Sequence, residues 1–322
     1  MTQDALRAND VHVVVVNWNA GDETCRCLAA LAALAPTAGR VHVVDNGSVD
    51  DSLDRIAREH PEVVLHANRE NRGFAGGANV GVAAALASGA RAVWLMNNDA
   101  RPDADALGRL VDAARRLPEC GLYGPKIFRD RANRVLWSCG VEFRFGPNLA
   151  RLRGFDELDV GRYETEEIVG SLTGCGLLVR AEVFARIGLL DESYFAYVED
   201  ADFCARAADA GFLCLYVPTS LLEHPGGGAS GGGYGPGRKY LTAHGAARFL
   251  RRHGTVSRWM SFLVFDLFLW PALFVVAAAQ GRGLAAFAKL CGSLAGACGR
   301  RPNLGWLKAR TRLQRSKTVG CA

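Results

Sequence analysis

The stretch Val93-Trp94-Leu95-Met96-Asn97-Asn98-Asp99 constrains this chain more than any other. An apolar run ends abruptly in two amides and a carboxylate. A strand buried on both faces reads this way, and the C-terminal tips of such strands are where open α/β sheets take ligands. A carboxylate there can hold a divalent cation, and the cation a diphosphate. A polar turn with Asp99 capping the next helix would read the same way. The neighbouring segments have to decide.

Val11 to Val16 is a continuous β-branched run, which predicts a central strand ending at Asn17-Trp18-Asn19. Asp22 to Leu34 has helical spacing. Val41 to Val44 is a second strand, ending in Asp45-Asn46-Gly47-Ser48, and Asp50-Asp51-Ser52 opens a helix with acids in its first turn. Val63 to His66 is a third. This alternation predicts a sheet of parallel strands with helices on both faces.

An acid after the second strand suits a dinucleotide fold, but that fold needs G-x-G-x-x-G directly after the first strand. Asn17-Trp18-Asn19-Ala20-Gly21 stands there instead, which argues against a nicotinamide or flavin enzyme. The glycines come later, in the stretch from Asn71 to Asn79. Arg72 and Gly73 offer a charge and open backbone there, ahead of a helix expected from Val80 to Ala87. Ligand contact and a simple tight loop are the two readings.

Four motifs now stand in order: Val15 to Asn19, Val43 to Asp50, Asn71 to Asn79 and Leu95 to Asp99. Together they resemble the family 2 glycosyltransferases, most of all the bacterial rhamnosyltransferase-like branch, over roughly residues 11 to 250. The resemblance implies a GT-A fold, a Rossmann-like, mixed but mostly parallel sheet with helices on both faces. It implies a nucleoside diphosphate sugar donor and a divalent metal, Mn²⁺ or Mg²⁺. Asn17, Asp45, Arg72, Gly73, Asn79 and Asn98 would bind the donor. Asn97-Asn98-Asp99 would be the local form of the DxD motif, with Asn97 replacing its first acid and Asp99 left as the carboxylate ligand.

A second chemical centre begins at Gly170 to Val179 and continues through Tyr194-Phe195-Ala196-Tyr197-Val198 into Glu199-Asp200-Ala201-Asp202. The acids emerge from an aromatic, apolar stretch and lead into a helix expected over 203–210, where carboxylates are stabilised. Helix capping alone would also explain them, and Asp202 suits that role. The resemblance makes Asp200 the catalytic base, with Glu199 beside it. After a strand over 213–217 comes His224, ahead of the glycine run 226–237. In the resembled enzymes a histidine here joins the metal, which would pair His224 with Asp99. The glycine run reads as a flexible loop able to close over the donor. Tyr240-Leu241-Thr242 fits the next helix of the family, but Ala243-His244 stands where Arg-Asn is usual, leaving that arginine's role unfilled.

Between the two centres the sequence says less. Leu107 to Leu117 is helical, Val135–Ser138 and Val141–Phe143 alternate like a hairpin, and Asp156 to Glu167 reads as an acidic surface loop.

Charge divides the chain in two. Residues 1–237 carry 23 Lys/Arg against 32 Asp/Glu; residues 238–322 carry 15 against Asp266 alone. This gives a catalytic domain over 1–237 and a basic, apolar helical region over 238–322. Trp259 to Ala279 has bilayer-spanning length, but nine Lys/Arg follow it, which opposes a single span. With Leu284 to Cys298 it would form a shallow hairpin or two amphipathic interfacial helices. A buried soluble helix is the other option. The basic end, Lys308 to Lys317, suits anionic lipid, and no motif supports nucleic-acid binding. Met1 to Asp10 carries no secretory signal and the ten cysteines form no CxxC pair, so reduced thiols and the cytoplasmic face of the membrane are expected.

The expected activity is inverting transfer of a sugar, dTDP-rhamnose being the leading donor, to a lipid-linked or cell-surface polysaccharide acceptor. Nucleotidyl transfer to a sugar phosphate and an inactive membrane-tethered sugar-nucleotide binder remain as alternatives.

Overall fold

The computed structural model describes residues 5–144, 149–226 and 235–306. It divides into two compact units. The first takes Met1–Phe143, Arg151–Asp191 and Asp200–Ala229; the second takes Arg144–Ala150, Glu192–Glu199 and Ser230–Ala322.

The first unit opens with β1 (Val11–Asn17), α1 (Gly21–Ala32), β2 (Val41–Asp45), α2 (Ser52–Glu59), β3 (Val64–Ala67), α3 (Gly73–Ala87) and β4 (Ala92–Asn97). Then come β5 (Arg101–Pro102), α4 (Ala106–Arg116), β6 (Gly121–Asp130), β7 (Val135–Ser138), β8 (Val141–Phe143), β9 (Ala150–Leu152), β10 (Glu167–Val169), β11 (Gly176–Arg180), α5 (Ala181–Ile187), α6 (Glu199–Asp209) and β12 (Leu213–Glu223). The main sheet runs β10-β12-β6-β11-β4-β1-β2-β3. Strand alternation sends Val13 and Val15 to one face, against Leu28 of α1, Ile56 of α2 and Leu110 of α4. Val14 faces the other way, with Ala78 and Val82 of α3, Phe184 of α5 and Phe203 of α6. Both faces are largely dry: the buried polar residues that lie before the strand tips pair with one another, as His12 of β1 does with His42 of β2.

The topology brings one set of strand ends together. β1, β2 and β4 are parallel, with Asn17 opposite Asp45 and Val16 opposite Asn97. β11 runs antiparallel to both β4 and β6, while β12 runs parallel to β6. The start of β11 and the end of β12 therefore share an edge with the tips of β1, β2 and β4.

Several expectations need correction. α3 starts at Gly73, not Val80. Its glycines are helical because the helix lies almost against β1: a Cβ at Gly77 would stand 2.8 Å from Val16 Cγ1. β7 does not pair with β8 as a hairpin; it lies antiparallel to β6. α6 begins at Glu199, four residues before the apolar spacing suggested. β12 continues to Glu223 through a register shift between Val217 and Leu221. The acidic stretch 156–167 is not merely a surface loop. Its Asp159 is buried and, with Glu164, holds the buried Lys126 at 3.2 and 2.5 Å.

In the second unit, α7 (Pro236–His253) packs on α10 (Gly283–Ala297). Glycine permits the approach: a Cβ at Gly292 would meet Tyr240 O at 2.2 Å, and one at Gly296 would meet His244 O at 2.3 Å. Between them, α8 (Val256–Phe262) continues through a π-helical turn, Leu263–Phe268, into α9 (Trp270–Ala279). Among the described residues no single helix is long and apolar enough to cross a membrane. The pair Val256–Phe268 and Trp270–Ala279 qualifies only jointly, bent by 45°. Expected membrane helices are thus not supported as single spans. α9 is also not amphipathic, since apolar residues surround it and none is buried. The proposed closing loop (residues 227–234) and the basic end (307–322) lie outside the described residues.

Candidate active site

At the β2 tip, Asp45 is buried and held on both oxygens. Oδ1 accepts from Asn17 Nδ2 at 2.7 Å and Ser48 Oγ at 2.6 Å; Oδ2 accepts from Ser48 N at 3.0 Å. Asn17 is wholly buried, and its Oδ1 accepts from Thr24 Oγ1 at 2.7 Å. Thr24 Oγ1 in turn accepts from Asn98 Nδ2 at 3.0 Å. One network therefore joins the tips of β1, β2 and β4. Asn17 acts in it as the positioner of Asp45. Sequence alone assigns no role to Thr24, in the first turn of α1, or to Ser48, inside the second motif, because a hydroxyl carries no signal until its partners are known.

The glycine loop is fastened by Asn46, also missed. Its Nδ2 donates to Gly73 O at 2.8 Å and Asn71 Oδ1 at 3.2 Å, while its Oδ1 accepts from Arg72 N at 3.2 Å. Gly73 has φ +75°, a conformation that favours glycine. Arg72 is exposed just before α3. Asn79 serves another end: its amide bonds the backbone N–H and C=O of Leu190 at 3.0 and 2.9 Å, fixing α3 to the α5–α6 connection.

The expected metal pair does come together. His224 Nε2 lies 3.0 Å from Asp99 Oδ1 and 3.2 Å from Asn97 Nδ2, with both His224 and Asp99 buried. Trp137 closes one side, its ring centroid 4.6 Å from the imidazole. His224 Nδ1 is buried without a hydrogen-bond partner. A neutral Nε2 cannot both donate to Asp99 and accept from Asn97. Neighbouring ligands about 2.1 Å from an octahedral ion stand roughly 3 Å apart, so this spacing fits a shared cation. A carboxylate oxygen suits either Mn²⁺ or Mg²⁺, while an imidazole nitrogen is a better ligand for a transition metal such as Mn²⁺ than for Mg²⁺. Among the described residues no group of three or more His, Cys, Asp or Glu gathers at one point, so the protein would supply two ligands. The thiols of Cys27 and Cys175 lie nearby but do not complete such a group with Asp99 and His224. Burial, reinforced by the Asp99 charge, pushes both above the ordinary thiol range.

Asp200 sits in the first turn of α6. Its Oδ2 accepts from Gly174 N at 2.9 Å and its Oδ1 from Ala201 N at 2.8 Å. Burial pushes its carboxyl above the usual range, while these N–H groups pull the other way. Gly174 precedes β11, whose Gly176 pairs with Met96 beside Asn97. The thiol of Cys175 feels the charges of both Asp99 and Asp200. The two carboxylates therefore flank one short turn. Asp202 is wholly buried and structural: Arg206 Nε bonds it at 2.8 Å and ties off Ile187 O and Leu189 O.

Glu199 is buried and belongs to the second unit. Before it, Phe195, Tyr197 and Val198 all have positive φ, at 63°, 70° and 73°. Such values strain a β-branched residue most, and strain of this kind concentrates at functional sites. Composition marks this stretch only as aromatic and apolar.

The model of the family described as glycosyl transferase family 2 matches residues 12–184. An N-acetylglucosaminyl-diphospho-decaprenol L-rhamnosyltransferase of Mycobacterium tuberculosis is 32% identical over 230 residues, covering 66% of this chain and 75% of that protein. The dTDP-rhamnosyl transferase RfbF of Shigella flexneri is 24% identical over 253 residues, covering 76% and 81%. Among solved structures, a mannosyltransferase from Pyrobaculum calidifontis in complex with GDP-Man and Mn²⁺ matches with TM-score 0.53 and 15% identity, covering 91% of this chain and 89% of that one. That likeness concerns the fold, which is GT-A-like.

Proposed function

The chain belongs to glycosyl transferase family 2, and from that premise we propose that it moves rhamnose from dTDP-rhamnose to a lipid-linked or cell-surface polysaccharide acceptor, inverting the anomeric carbon. Sugar transfer from a nucleotide sugar follows from the family and its rhamnosyltransferase relatives. Rhamnose as the sugar is supported by the named activities of those relatives and by the chemistry of the strand tips. We place the reaction at the cytoplasmic face of the cell membrane, where a lipid-linked acceptor would present its head group.

The observation that carries the mechanism is the Asp200 carboxylate. It is held by two backbone N–H groups and raised in basicity by burial. Asp200 takes the proton of the acceptor hydroxyl as that oxygen attacks the anomeric carbon. The bond to the nucleoside diphosphate breaks on the opposite face, which inverts the centre. Gly174 N–H orients Asp200 for this step. Asp45, fixed by Asn17 and Ser48, and the loop at Arg72 and Gly73 are the donor-holding groups. Asp99 and His224 would hold the divalent cation, which supplies neutralisation of the diphosphate charge.

Incubation with dTDP-rhamnose and Mn²⁺, with the released nucleotide identified, tests this reading. Release of dTDP is expected, slow to water and faster with acceptor. Release of pyrophosphate from dTTP and a sugar phosphate would instead identify nucleotidyl transfer, and donor binding without turnover an inactive binder.

A further inference from the structure

A helix apolar on every side must be covered by something. α9 is such a helix: Leu273, Val275 and Val276 are 52%, 67% and 57% exposed. Phe268, in the π-helical turn before it, is 80% exposed. Exposed cations frame the segment, with Arg251 and Arg252 before it, Arg282 after it, and Arg300 and Arg301 following α10. A surface with this charge calls for an anionic cover.

The sole acid of residues 238–322 lies inside this apolar segment. Asp266 would be what a lipid environment rejects most if it stood alone. It does not: Lys289 Nζ of α10 lies 2.7 Å from Asp266 Oδ1, and the Asp266 side chain is only 13% exposed. One turn away, Trp270 Nε1 donates to Ala286 O at 3.2 Å, so α10 runs back alongside and keeps the lysine in reach.

We propose that residues 256–279 bed lengthwise in one leaflet of an anionic phospholipid bilayer, and that the Asp266–Lys289 pair is the device that permits it. Length and shape set the depth. At about 1.5 Å per residue, α9 reaches about 15 Å, half of a hydrocarbon core of about 30 Å. The 45° bend and the cations at both ends keep the segment on one side. This proposal stands apart from the choice of sugar or acceptor.

Flotation of the full chain with sealed phosphatidylcholine vesicles, with and without phosphatidylglycerol, tests it. The chain is expected to float with the anionic vesicles and to release as salt rises. Protease added outside should leave no protected fragment. Val275→Asp with Val276→Asp should weaken partitioning about tenfold or more. Lys289→Ala should weaken it about tenfold, and Asp266→Asn added to Lys289→Ala should restore it to within about twofold. Comparing that double variant with Asp266→Asn alone keeps the test decisive where Lys289→Ala loses its helical signal. Absence of flotation, a protected C-terminal fragment, or no rescue by the double variant would overturn the proposal. So would a wild-type dimer that Val275→Asp turns into monomer without any change in vesicle binding.

Discussion

His224 Nε2 and Asp99 Oδ1 stand 3.0 Å apart, an imidazole from the end of β12 facing a carboxylate from the tip of β4. Two ligands are few for a resident ion, so the cation and the donor diphosphate should bind interdependently. Asp99→Ala is expected to weaken Mn²⁺-dependent nucleotide binding at least about tenfold, and His224→Ala to do the same. Combining them should add little, because each alone opens the site. Calorimetric titration of dTDP with and without Mn²⁺ reads this, and a wild-type response in either variant would remove the pair from the metal site.

Asp200 has a different signature. Asp200→Asn should cut the transfer rate about 10²- to 10⁴-fold while donor affinity stays within about twofold. The wild-type rate should fall on the acid side at a pH above the usual carboxylate range, because a base must be unprotonated and burial raises this one. Linkage has the opposite sign to a salt-bridged acid. A folded pKa above the unfolded value withdraws stability as pH rises through it. The asparagine variant should therefore melt no lower than wild type at neutral pH. A lower melting point with equal loss of binding and turnover would make Asp200 a folding residue.

A row of imidazoles crosses β1, β2 and β3. His12 Nδ1 and His42 Nε2 are 3.2 Å apart, and His42 Nδ1 and His66 Nε2 are 3.1 Å apart, with the rings stacked. Burial pushes His42 down to about 4, helped by its two neighbours and Arg40. His12 and His66 are lowered mainly by burial. For a base depressed on folding, the unfolded chain binds the extra proton, so stability is complete above about pH 6.5 and is lost as pH falls towards 4. The loss expected from His42 alone is roughly 3 kcal/mol. Urea unfolding across that range reads it, and His42→Gln should flatten the slope.

The strand tips were legible because each polar cluster closes an apolar run: Asn17, Asp45, Asn97 and Asp99 all follow one. The Asp99–His224 meeting came from resemblance, since spacing along the chain cannot show that β12 returns parallel beside β6. Asn79 illustrates the opposite failure. It lies within a ligand-like motif, yet its amide holds Leu190, a partner far along the chain. Lys126 and Asp159 were invisible for a similar reason, because a buried pair reads as two ordinary surface charges until the fold joins them. The positive φ values of Phe195, Tyr197 and Val198 had no compositional mark, as none is a residue that usually adopts them.

The glycines of α3 offer a test in which two effects have opposite signs. Helix propensity alone makes Gly81→Ala stabilising by up to about 1 kcal/mol. Packing says otherwise, because a Cβ at Gly81 would stand 2.5 Å from Val14 Cγ1 and 3.1 Å from Val44 Cγ2, both within the sheet. Overpacking of this kind costs about 1–3 kcal/mol and should win, since β1 and β2 are fixed by neighbours on both sides. Gly81→Ala is therefore expected to lower the urea midpoint. Ala83→Gly, at an exposed position of the same helix, should lower it by about 1 kcal/mol through propensity alone. A more stable Gly81→Ala variant would mean that α3 can lift away from β1. The Asn71 to Asn79 glycines would then be free for the ligand contact that their motif first suggested.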